Sequence, residues 1–240
     1  FFPTPLRTKR KQTGKFSSFQ FILFKVVNVS HNWLRTARLS ANIDDVKTDN
    51  SADSTSTVKC NNKAEQLIIF DLSYNQIRSI GDNDFIQLVA IRQLLLANNQ
   101  ISLINRNALK ACALLQQLHV GNNSIEELPV MPETLIHLDV AWNRLSIIPS
   151  TIANLPNLLF LNLSGNAIDA NTPFAVVSST LQTVDLSRNR LEFIPENLFA
   201  NSAQQLQHFL LSYNRITQLE PLFFQNYSNL LMVSFTVLLN

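Results

Sequence analysis

Seven asparagines recur along this chain at near-constant intervals: Asn75, Asn99, Asn123, Asn143, Asn166, Asn189 and Asn214, with steps of 24, 24, 20, 23, 23 and 25 residues. Each sits ninth in the same eleven-residue frame, apolar-x-x-apolar-x-apolar-x-x-Asn-x-apolar. The frames read LIIFDLSYNQI (67–77), IRQLLLANNQI (91–101), LQQLHVGNNSI (115–125), LIHLDVAWNRL (135–145), LLFLNLSGNAI (158–168), LQTVDLSRNRL (181–191) and LQHFLLSYNRI (206–216). A unit of this size cannot bury its apolar side alone; stacking on like units buries it, so the chain is expected to be a solenoid that works through its surface.

The frame has a physical cause. Its centre alternates with period two, as a half-buried strand does, so Phe70 and Leu72 should point inward while Ile69, Asp71 and Ser73 point outward. The chain then turns sharply inside the core, which removes backbone N–H and C=O groups from water. An Asn amide, with two donors and an acceptor on a short stem, can satisfy several of them. Asn75 through Asn214 are therefore expected to form a buried structural ladder rather than a catalytic or sugar-bearing set.

These frames resemble the leucine-rich repeat family at every defining position. The resemblance implies an α/β solenoid, a horseshoe with a parallel β-sheet on its concave face and short 3-10, helical or irregular segments on its convex face. An aromatic closes the variable half of several repeats, at Phe85, Phe174, Phe199 and Phe224, with Leu109 in that slot of the second repeat. This layout resembles the animal extracellular subclass, such as Toll-type receptors, slit, chaoptin and matrix leucine-rich proteins. The third repeat is short, with Leu128, Pro129 and Pro132 before Leu135. The fourth, RLSIIPSTIANLPNL, is equally similar to the cytoplasmic scaffold subclass. The resemblance covers about 67–240.

Charge divides the chain in two. Residues 1–38 hold eight Lys or Arg and no acid, whereas the remaining residues hold eleven Lys or Arg against seventeen Asp or Glu, a net of −6. A mildly acidic repeat body argues against a nucleic-acid partner, which calls for basic residues clustered on the body. Residues 1–58 show no repeat frame and are read as a basic then polar flank, a disordered or mispredicted leader. The repeat domain is set at 59–240. The basic stretch RTKRKQTGK (7–15) before an apolar run has the order of a targeting signal, but Lys25 breaks the run and it is too short to span a bilayer. The chain begins at Phe1 and is expected to be a piece of a longer protein.

Cys60, in the Val-x-Cys at 58–60, resembles the last cysteine of the cap that opens extracellular leucine-rich domains, without that cap's other cysteines. Cys112 falls on a core position and is expected to be a buried free thiol. An eighth frame begins at LLMVSFTVLLN (230–240) with Leu238 in place of the Asn, a truncated repeat. Four Asn-x-Ser sequons, at Asn28, Asn122, Asn162 and Asn226, are about as many as chance supplies in such a composition.

The outward columns of the sheet carry the functional candidates. Trp, Tyr and Arg are favoured interface anchors, and the middle strands supply Trp142, Phe160 and Arg188 with His119, His137 and Asp139 nearby. This cluster is the expected binding patch, set against the plain alternative of a solvated sheet face. His119 and Asp139 share a column on adjacent strands and should pair. No nucleophile or pocket stands beside them, and His137 and His208 lie three strands apart, so neither a catalytic site nor a metal site is read, and no cofactor. The expected function is a non-enzymatic module, extracellular or at the cell surface, binding a protein ligand or a homophilic partner on its concave sheet. The alternative is a cytoplasmic scaffold or regulatory subunit. Membrane association would come only through segments outside 1–240.

Overall fold

The structure, a computed structural model, describes residues 18–21, 25–35, 39–40, 57–60, 64–169, 176, 178–195, 198–217 and 223–236. In chain order, strands β1 (Ser18–Phe21), β2 (Val26–Asn28), β3 (Leu39–Ser40) and β4 (Thr57–Cys60) precede the frame of Asn75. The frames then supply β5 (Ile69–Asp71), β7 (Gln93–Leu95), β9 (Gln117–His119), β10 (His137–Asp139), β11 (Phe160–Asn162), β12 (Thr183–Asp185) and β13 (His208–Leu210). Two short strands, β6 (Ser79–Ile80) and β8 (Leu103–Ile104), pair with each other on the far side of the first two coils, and β14 (Met232–Ser234) comes last.

Nine of these strands form one parallel sheet in the order β14-β13-β12-β11-β10-β9-β7-β5-β2. Register is constant from coil to coil: Phe70 pairs Leu94, Leu94 pairs Leu118, and Leu118 pairs Leu138, the frame's fourth residue each time. That residue points inward and is fully buried in every coil from Phe70 to Phe209, as is the sixth, from Leu72 to Leu211. Among the described residues, helix is limited to a single turn, α1 (Ser150–Ala153), and the 3-10 turns Ala64–Gln66 and Ala200–Ser202. The slot aromatics Phe85 and Phe199 are fully buried, Leu109 nearly so, and Phe224 packs on the core beside buried Phe223 and Tyr227. Phe174 lies outside the described residues. Cys112 is a free, buried thiol whose pKa burial pushes up to about 12, so it stays protonated and behaves as a small apolar residue.

The asparagines stitch the coils together. In Asn99 the amide nitrogen donates to the carbonyls of Leu96 (3.0 Å) and Ala97 (3.3 Å) in its own coil and to Leu72 (3.0 Å) in the coil before. Its Oδ1 accepts the N–H of Ile77 at 3.1 Å, also in the previous coil. The same four-bond pattern recurs at Asn75, Asn123, Asn143, Asn166 and Asn189, and Asn214 repeats three of the four. Asn75, Asn143, Asn189 and Asn214 are buried, whereas Asn99, Asn123 and Asn166 are half-buried and keep the bonds.

One reading is corrected. Residues 24–34, FKVVNVSHNWL, satisfy the whole frame, and Asn32 is its asparagine. The structure pairs β2 with β5 through Val26–Ile69, Val27–Phe70 and Asn28–Asp71, buries Val27, Val29 and Leu34, and gives Asn32 two local carbonyl bonds, to Val29 and Ser30. The flank at 1–58 thus contains a coil of the solenoid. Spacing alone does not reveal it, because Asn32 and Asn75 are 43 residues apart, far outside the 20–25-residue step. Part of that interval carries β3 and β4, which join β1 in a separate three-stranded parallel sheet of order β1-β4-β3.

Two substitutions test this account by urea unfolding. Asn143→Leu removes the partner of the Val120, Val140 and Ile125 backbone groups and should cost roughly 1–3 kcal/mol for each group left unpaired. Val27→Asp should lower stability by about 3 kcal/mol if residues 25–35 complete the core, because it buries an unpaired charge; an unchanged midpoint would return them to the flank.

Candidate functional site

The outer face of the sheet is assembled from two columns that the constant register keeps straight. One runs Val26, Ile69, Gln93, Gln117, His137, Phe160, Thr183, His208, Met232; the other runs Asn28, Asp71, Leu95, His119, Asp139, Asn162, Asp185, Leu210, Ser234. Both were legible as columns in the sequence. Their contacts were not.

In the first column the His137 imidazole stacks on the Phe160 ring, centroids 4.1 Å apart and planes 9° from parallel. His119 joins them diagonally, 4.7 Å from His137. Three rings on three successive strands thus make one half-exposed aromatic surface. Farther along, Thr183 Oγ1 lies 3.3 Å from His208 Nδ1. In the second column His119 Nδ1 stands 3.8 Å from Asp139 Oδ2, an ion-pair distance rather than a hydrogen bond. The expected pairing across the ladder is present.

Asp139 has a second task. Its Oδ1 accepts the N–H of Ala141, two residues on, at 3.1 Å. Asn28, Asp71, Asn162 and Asp185 do the same for Ser30, Ser73, Ser164 and Ser187. These are Asx-turns that steer the chain out of the strand, so the Asp/Asn column is first a structural device. Burial alone would raise the Asp139 carboxyl pKa. The His119 side chain beside it, the Ala141 N–H and the positive potential of His119 and His137, in that order, outweigh it and hold the group below its ordinary value. His137 is lowered by burial and by neighbouring His119, and Asp139 pulls it back in part.

A third row lies at the turn. The residue before each frame Asn has positive φ in every coil: 59° at His31, 56° at Tyr74, 58° at Asn98, 54° at Asn122, 55° at Trp142, 67° at Gly165, 57° at Arg188 and 59° at Tyr213. A left-handed conformation costs a non-glycine residue about 1–2 kcal/mol. It is held by the Asn bonds and by a backbone bond to the next coil, as from Trp142 N–H to the Ser164 carbonyl at 2.7 Å. Because most coils tolerate a side chain here, φ alone does not explain Gly165. The Trp142 indole does: a Cβ on Gly165 would come within 2.7–3.1 Å of three of its ring carbons. The ring therefore lies over the glycine. Across that gap the Arg188 guanidinium carbon stands 5.9 Å from the Trp142 ring centre and 4.2 Å from that of Tyr213. At the other end of the row His31 stacks on Tyr74 at 4.3 Å, and Asn122 donates to Asn98 at 2.7 Å.

The six candidate residues thus fall into two touching sets, His119–His137–Phe160 with Asp139 on the strands and Trp142–Arg188 on the turns. Tyr213 and Gly165 belong with the latter. Tyr213 stood in the right column of the sequence, and the missing side chain at Gly165 was the available signal for the ring above it. Among the described residues no group of three His, Cys, Asp or Glu could hold a metal ion, and no helix is long and apolar enough to cross a membrane.

A stack of parallel strands, an asparagine-bonded turn recurring from coil to coil and aromatic residues closing the layers together define a leucine-rich repeat solenoid. Comparison with known proteins agrees. The leucine rich repeat family matches residues 58–101 and 179–234, and a second leucine rich repeat pattern matches 134–155. The chain belongs to the leucine-rich repeat family, and within it resembles the animal extracellular type. It is 31% identical to opticin of Mus musculus over 134 residues, 55% of this chain and 40% of opticin. It is 30% identical to Toll-like receptor 9 of Homo sapiens over 172 residues, 62% of this chain and 16% of the receptor. The chain therefore spans less than half the length of these relatives. Among solved structures, a chain of the octameric complex of Latrophilin 3, Unc5D and FLRT2 (LRR) shares the fold with a TM-score of 0.64 at 20% identity, covering 93% of this chain and 80% of that one.

The two histidines provide a direct check. Folding favours neutral His137, so its contribution is full above an ordinary imidazole pKa of about 6.5 and is lost as pH falls through the depressed folded value. In an NMR titration the His137 midpoint should lie below the ordinary value. It should move up in His119→Gln, which removes the opposing charge.

Proposed function

We propose that this chain is a non-enzymatic recognition module, at the cell surface or outside the cell, that binds a protein partner on the concave face formed by its sheet. The observation that carries this reading is the ring surface of His119, His137 and Phe160, mounted on three hydrogen-bonded strands and bordered by exposed Trp142 and Arg188. Aromatic and Arg side chains on a rigid support contribute most to protein interfaces, since little side-chain freedom is lost on binding. Asp139 and His119 add a charge pair of defined direction at the edge of the rings. A homophilic partner is equally served by this surface. The relatives resemble this chain in fold and in their extracellular type, which supports the location. The mildly acidic repeat body supports a protein rather than a nucleic acid as partner.

A panel of secreted and cell-surface ectodomains, this chain included, screened against the whole protein tests the reading. For a partner so found, Phe160→Ala and His137→Ala should each weaken binding by about tenfold or more. Lys110→Glu, exposed and away from the sheet, should leave it unchanged. Equal affinity in the sheet variants would remove the sheet face as the binding surface.

A further inference from the structure

The turns that follow β12 and β13 carry three arginines. Arg188, Arg190 and Arg215 are all exposed, and among the described residues none makes a side-chain hydrogen bond or an ion pair. They are close by construction. Arg188 and Arg190 flank Asn189 in one turn, and Arg215 holds the place of Arg190 in the next coil, its N–H bonded to the Leu191 carbonyl at 2.8 Å. Adjacent strands are spaced by about 4.8 Å, so Arg190 and Arg215, at the same place in successive coils, set like charges side by side at this edge. Arg188 is also fixed: its guanidinium rests on the Tyr213 ring at 4.2 Å and faces the Trp142 ring at 5.9 Å, which lies flat because residue 165 is glycine. Ring contact uses the faces of the guanidinium and leaves its in-plane N–H donors outward, the geometry that receives a carboxylate through two parallel bonds.

We propose that Trp142, Arg188, Arg190, Tyr213 and Arg215 form a carboxylate-binding site on the turn edge of the solenoid that takes an acidic segment of a protein partner. It deepens the recognition reading and rests on it, placing a charged contact beside the aromatic sheet surface. Charge complementarity selects a short acidic segment over a long polyanion. Asp139 and Asp185 stand on the strands that lead into these turns, and a polymer of uniform negative charge would meet them as it spread. Side-chain carboxylates spaced along a peptide can reach the guanidiniums and leave that acidic face alone.

Trp142 reports on the site. In the whole chain with Trp33→Phe, Trp142 is the remaining tryptophan, and its fluorescence is followed as acetylated, amidated hexaglutamate is added. A saturable change is expected. Arg188→Gln should weaken it about tenfold, and Arg188→Lys, which keeps the charge but loses the fork, should fall between. Arg78→Gln, exposed on the coil of Asn75, should bind as the parent does. No saturable change, equal binding by Arg188→Gln, or tighter binding of a heparin hexasaccharide than of hexaglutamate each overturns the site. The outcomes separate the two proposals: partner binding lost in Phe160→Ala with no response to hexaglutamate leaves the sheet surface standing and removes this one.

Discussion

Everything in this fold depends on an amide side chain that, in each coil from Asn75 to Asn214, bonds to backbone on both sides of a coil boundary. The sharp turn after each strand takes N–H and C=O groups out of water, and each left unpaired would cost roughly 1–3 kcal/mol. The Asn Nδ2 and Oδ1 satisfy groups in their own coil and in the one before, so the side chain that permits the turn also sets the spacing between turns. Register follows from this. With turns locked at equivalent residues, strands pair without slippage and the outward columns stay aligned from Val26 to Met232.

Alignment is what converts a repeat into a surface. Residues 20–25 apart in sequence become neighbours about 4.8 Å apart, and side chains along a column can then stack. His137 meets Phe160 and His119 meets Asp139 for this reason, with no local sequence motif involved. The turn row obeys the same rule with different chemistry. Its fixed left-handed backbone projects Trp142, Arg188 and Tyr213 along one line, and the absent Cβ of Gly165 gives the indole room.

Most of the scaffold could be read from residue order because burial has a strict period here: the fourth and sixth frame residues are apolar and inward in coil after coil. The columns followed directly, since side-chain direction in a strand depends only on parity. The coil at 25–35 is not legible from the interval between asparagines, although its frame is complete, because a long insertion breaks interval without breaking frame. The contacts within the site were less accessible. Whether His137 turns toward Phe160, or Arg188 toward Tyr213, depends on side-chain torsions that pattern does not encode. The Asx-turns were hidden for another reason: Asp71, Asp139 and Asp185 look like surface charges until the carboxylate is seen accepting a backbone N–H two residues on.

Because each layer of this stack packs on its immediate neighbours, a local opening passes from one layer to the next rather than through the whole domain at once. The ring trio on β9, β10 and β11 has three strands beyond it on either side. An opening that starts at β2 or at β14 therefore has three layers to cross before it reaches those rings.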